Sequence, residues 1–238
     1  MSLGFEELTF TASEAGGITG MSPARQRDMR RRGFLSAHDG QARFDLYALA
    51  EIMVFERMSS AGIGPKVASK LAEVAATGIG WHVLQNPDAY TGDHLSLIGA
   101  GIVQPVEWSS EDDEAHALLK QRAAEQGLSF SPEAIDAIHN PEAMAANRQA
   151  EFLARWIAGE LRGRVIPGRF LIIWADGSEV FHEDVQAAFD DIRTDDARVT
   201  GPVTVLPLES LALDLLKRAG RPFFNVRVGR PLKKSTDR

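Results

Sequence analysis

Apolar positions along the chain change period several times, and each change predicts an element. Phe10-Thr11 reads as a short extended lead into a helix capped by Thr11 or Ser13, whose hydroxyls can accept from orphan backbone donors. Gly16-Gly17 weakens that helix, and Gly20 ends it in a left-handed cap. Ser22 followed by Pro23 restarts a helix, which runs to about Arg32 and stops at Gly33. Phe34-Leu35, a polar turn at His38-Asp39-Gly40 and Ala42-Arg43-Phe44 then read as a two-stranded hairpin. Leu46, Leu49, Ile52, Met53, Phe55 and Met58 recur at helical spacing over 46–60. Gly62-Ile63-Gly64-Pro65 breaks that helix, and Val67, Ala68, Leu71, Val74 and Ala75 form one face of the next.

From 78 to 108 the chain is punctuated by Gly78-Ile79-Gly80, Asn86-Pro87, Thr91-Gly92 and Gly99-Ala100-Gly101. The pattern predicts a loop-rich connection, strands at 95–98 and 102–103, and a boundary at 78–80. Ser109/Ser110 starts a helix to about Gln126, Ser131-Pro132 a short one, and a long helix follows from Glu142 to about Arg162. In that long helix Met144, Leu153, Ile157 and Leu161 form a stripe that suits either a partner or the chain's own core. Phe170 to Trp174 and Val180-Phe181 read as strands about an Asp176-Gly177 turn, with a helix around 182–192. A strand at 203–206, a helix at 211–219 and a strand at 223–228 complete the pattern. The expected architecture is α+β. A winged helix-turn-helix occupies 1–78, a helical connecting and dimerising region 79–163, a small α+β unit 164–230, and a basic flexible tail 231–238.

Charge sharpens this picture. The 238 residues carry a net charge of −7, which argues against general coating of nucleic acid. Yet Arg25, Arg27, Arg30, Arg31 and Arg32 face only Asp28 within eight residues, a local net of +4. Eight basic residues against three acids over 207–238 give +5, while acids concentrate between. There is no cysteine, so disulfides, thiolate metal sites and cysteine nucleophiles are excluded. The six histidines show no ligand spacing. No apolar run spans a bilayer, and the start MSLGFEEL lacks a signal-peptide pattern, so a cytoplasmic protein is expected. No phosphate-loop, dinucleotide or nucleophile-elbow motif occurs, so no enzyme, cofactor or metal is expected. Asp176, Glu179, His182, Glu183 and Asp184 form a local polar cluster that suits either a cation or a turn and helix start. The four tryptophans suit a core, although such rings also line effector pockets.

Residues 10–75 resemble the N-terminal winged helix-turn-helix of MerR-family transcription regulators. The resemblance runs through Phe10-Thr11, Glu14, Thr19-Gly20-Met21-Ser22, Arg27, Arg31-Arg32-Gly33-Phe34-Leu35, Ala42-Arg43-Phe44, 46–61 and Gly62-Ile63-Gly64. Where the family carries an aromatic pair and an acid, this chain has Asp28-Met29-Arg30. The resemblance implies a helix in the major groove of double-stranded DNA and a wing beside it. It also implies a homodimer, with a small-molecule effector or a protein partner at the C-terminal part. The contact candidates are Arg25, Arg27, Arg30, Arg31, Arg32 and Arg43, supported by Ser22 and Gln26. A phage or mobile-element DNA-binding assembly protein, terminase-small-subunit-like or excisionase-like, fits the same fold, as does a protein-binding adaptor.

Overall fold

The computed structural model describes residues 2–36, 43–105, 140–163, 166–190, 192 and 196–229. In chain order the first half forms β1 (Leu3–Glu7), β2 (Phe10–Thr11), α1 (Ala12–Thr19), α2 (Pro23–Arg31), β3 (Arg43–Phe44), α3 (Leu46–Ser60), α4 (Pro65–Leu84) and β4 (Tyr90–Gly92). The second half forms α5 (Pro141–Leu161), β5 (Phe170–Ile173), β6 (Glu179–His182), α6 (Val185–Asp190), β7 (Thr204–Pro207), α7 (Leu208–Ala219) and β8 (Phe224–Val228). The protein is mixed α+β. Among the described residues no helix is long and apolar enough to cross a membrane. The turn expected at 38–40, the helices expected from 109 and 131, Trp108 and the basic tail lie outside the described residues.

Local rules account for most helix ends. Thr11 caps α1 in a reciprocal box: its hydroxyl accepts from the Glu14 N–H at 3.3 Å, and the Glu14 carboxylate accepts from the Thr11 N–H at 2.6 Å. Gly20 then takes φ +85° and donates to the Gly16 carbonyl, a conformation that costs a side-chain-bearing residue. Ser22 caps α2 through the Arg25 N–H, and Asp45 caps α3 through the Ala48 N–H at 2.7 Å.

Two expectations fail for long-range reasons. Arg43-Phe44 does not pair with Phe34-Leu35; β3 pairs antiparallel with β2, setting Phe10 opposite Phe44 and Thr11 opposite Arg43. Phe10 and Phe44 are buried, and Leu35 is packed in the same core outside any strand. Strand β3 is thus anchored to the segment that precedes α1. Nor does the chain break at 78–80. Helix α4 runs unbroken through these residues, so the division expected at 78 falls inside it. A Cβ on Gly78 would stand 2.5 Å from Leu208 Cδ1, and one on Gly80 would stand 2.3 Å from Tyr47 Cε1. These glycines let α7 and the Tyr47 ring close on α4, which offsets their poor helix propensity of about 1 kcal/mol each. On the same helix Val67, expected on the core face, is exposed.

The segment 95–103 holds turns rather than strands; the strand of this region is Tyr90–Gly92. It joins the sheet β1-β8-β4, in which β8 is antiparallel to β1 and parallel to β4. The last strand, expected within the 164–230 unit, therefore completes a sheet with Leu3–Glu7. A second sheet, β6-β5-β7, is antiparallel. Its Leu171 and Ile173 face the main core, while Ile172 and Trp174 face a small cluster with Ala188, as the two-residue strand period requires. One buried cluster runs from Phe10 to Val226 and takes in Leu153 and Ile157 of α5. Those two stripe residues serve the chain's own core.

Candidate nucleic-acid interface

Helix α2 owes its orientation to its one buried polar side chain. Gln26 is fully buried; its amide donates to the Met21 carbonyl at 2.7 Å and to the Ala12 carbonyl at 3.4 Å. It ties α2 to α1 and to the turn between them, and so cannot reach a groove. Its expected role as a supporting DNA contact is corrected to one inside the fold. Arg30, one turn further on, also turns inward. Its guanidinium lies 4.5 Å from the centre of the Phe44 ring, half-buried, with Nε and one terminal nitrogen lacking hydrogen-bond partners among the described residues. Burial holds this guanidinium below the usual arginine range, with Glu51 opposing. Arg30 braces α2 against β3 and is likewise withdrawn from the contact set.

The remaining candidates are exposed. Arg27 and Arg31 lie four residues apart on the outward row of α2 that begins at Ala24. Arg27 makes no ion pair or hydrogen bond among the described residues, and Arg31 pairs with Asp28 at 2.6 Å. Arg25 pairs with Glu56 of α3 at 3.2 Å, and Arg32 approaches Asp28 at 3.7 Å. Arg25 and Arg32 also line a groove of about 320 Å³ whose other wall is Gly62 to Pro65, where α4 starts. Arg43 projects from β3 next to α1, opposite Thr11. Ser22 is exposed, but its hydroxyl oxygen is engaged in the helix cap. Exposed ion pairs of this kind contribute about 0–1 kcal/mol, so Arg25, Arg31 and Arg32 can exchange a carboxylate for a phosphate at little cost.

Glu51 and Glu56 shape this surface together with Phe44, and the sequence pointed to neither acid. Glu51 accepts from the Ser36 hydroxyl at 3.1 Å, and burial pushes its carboxyl above the usual range. Each partnership spans 14 to 31 residues of chain, so no periodicity or motif announces it. The polar cluster at 176–184 resolves into structure. Asp176 accepts from the backbone and hydroxyl of Ser178, and Asp184 accepts from the Ala187 N–H at the start of α6. Among the described residues no group of three or more His, Asp or Glu side chains could hold a metal ion. Comparisons of the chain with family models, with curated proteins and with solved structures found no match.

Proposed function

We propose that the protein is a sequence-specific DNA-binding regulator of MerR-like form that lays α2 in the major groove. The observation that carries this reading is the division of α2 into two faces. Gln26 and Arg30 hold it from within, while Arg27 and Arg31 stand outward and exposed. Nine residues of helix span about 13 Å at 1.5 Å per residue, which suits a groove about 12 Å wide. Arg27 and Arg31 read or grip the groove, Arg25 and Arg32 hold one flanking phosphate path, and Arg43 holds the other as the wing. The acidic total does not oppose this, because only the face that meets DNA has to be basic.

The test is a salt titration of binding to genomic fragments, followed by selection of enriched sites. Affinity falls steeply as salt rises, because each neutralised phosphate releases condensed counterions. Arg27→Ala or Arg31→Ala lowers the slope of log affinity against log salt by about 1 each if the side chain meets a phosphate. A chain that binds no fragment at low salt sinks the proposal.

A further inference from the structure

A cleft of about 760 Å³ opens where the 86–95 segment, α5 and the end of α7 meet. Its size falls within that of small-molecule sites. Leu95 and Leu213 stand on its lips, 56% and 53% exposed, and Leu216 and Pro222 continue the apolar wall. Two leucines left in water beside a concave apolar surface gain if a ligand covers them. Lys217 reaches the same cleft and makes no ion pair or hydrogen bond among the described residues. His94, also lining it, has a buried Nδ1 with no partner among the described residues, an unmet hydrogen-bonding group of the kind folded proteins rarely keep. Asp88 is the one acid among the described lining residues, against Lys217 and Arg221.

Arg221 also holds the segment that starts α1. Its guanidinium sits 3.8 Å from the centre of the Phe10 ring, donates to the Thr9 carbonyl at 2.8 Å and reaches the Glu14 carboxylate at 3.4 Å. Glu14 is half of the box that starts α1. Phe223, two residues on, donates to the Ala89 carbonyl in the cleft segment and accepts from the Leu8 N–H, each at 2.8 Å. The cleft and the start of α1 are therefore joined through a few residues.

We infer that this cleft binds a small carboxylic acid with an apolar body, and that its occupancy weakens DNA binding by drawing Arg221 away from Glu14 and Thr9. The apolar body covers Leu95, Leu213 and Leu216, while the carboxylate meets Lys217 and Arg221. The site itself stands on the cleft alone, and its effect on DNA rests on the function proposed above.

The test uses the full chain and a panel of benzoate, phenylacetate, 3-phenylpropionate and 4-phenylbutyrate beside the matching amides, followed by titration calorimetry. Acids of the panel bind, and their amides bind at least about tenfold more weakly, because a charge-assisted contact is lost. Lys217→Ala weakens the acids by about the same factor, and Leu213→Ser weakens acids and amides together. Both positions are exposed, and thermal melts check that the variants fold. No acid binding at millimolar concentration, equal binding of acid and amide, or an unchanged Lys217→Ala variant overturns the site. With the selected DNA fragment, saturating acid lowers DNA affinity, and DNA lowers acid affinity by the same factor. DNA affinity indifferent to saturating acid overturns the coupling. A chain that binds the acids selectively but no DNA supports the site and removes the DNA reading alone.

Discussion

Replacing Gly80 with alanine tests whether α4 runs through 78–80 and closes on Tyr47. In an ordinary helix interior this change stabilises by about 0.5–1 kcal/mol, because alanine loses less backbone freedom on folding. Gly17 of α1 offers the reference, since nothing lies within 4 Å of a Cβ built there. At Gly80 the new methyl would stand 2.3 Å, 2.8 Å and 3.0 Å from three carbons of the Tyr47 ring, where carbon pairs rest at about 3.5–4.0 Å. The ring cannot retreat into solvent: it is 4% exposed and covered by the Arg162 guanidinium 4.5 Å from its centre. Overpacking of this kind costs about 1–3 kcal/mol, and an overlap above 1 Å against a fixed ring belongs at the upper end. The steric cost wins, leaving Gly80→Ala about 1–2 kcal/mol less stable than the parent. For a chain of this length that lowers Tm by about 2–8 °C, while Gly17→Ala raises it by about 1–4 °C. Denaturant titration and calorimetry measure both. A Gly80→Ala protein as stable as its parent would refute the packing and bring back a chain break at 78–80.

Stability should also respond to Glu7, where burial and the neighbouring Asp45 outweigh Arg162 and raise the carboxyl pKa from 4.5 to about 7. The folded chain then holds the proton more tightly than the unfolded one, so stability falls as pH rises from about 4.5 to about 7. That difference corresponds to about 3 kcal/mol, which partial exposure reduces to about 1–2 kcal/mol. Glu7→Gln accordingly gains about that much at pH 8 and flattens the profile; a profile unchanged by the substitution contradicts the assignment. Gln26→Ala loses about 1–3 kcal/mol, because the buried Met21 carbonyl and the part-buried Ala12 carbonyl lose a donor. Arg27→Ala, by contrast, leaves the melting temperature in place. The reverse pattern in thermal melts would put Gln26 in the groove.

The sequence by itself determined where most helices start and stop. Ser22-Pro23, Gly20, Gly33, Gly220 and the 3.6-residue spacing over 46–60 act within one or two turns of backbone, so local composition suffices to read them. It also showed that the arginines concentrate on one helix. Tertiary structure decided what those elements meet. Gly78 and Gly80 look like breakers in a sequence, but a bare Cα is equally what another element needs to pack closely, and only Leu208 and Tyr47 reveal which applies. Arg43-Phe44 is strand-like in any context, yet its partner is Phe10-Thr11, more than thirty residues back, because burying Phe10 against Phe44 outweighs a nearer pairing. Among the basic and polar residues of α2, spacing shows which share a face, whereas the core decides which face is inward. So Gln26 and Arg30 pass from candidate contacts to internal ties. The cleft of about 760 Å³ was least legible, since 86–95, α5 and α7 contribute to it from distant parts of the chain and long-range packing alone brings them together.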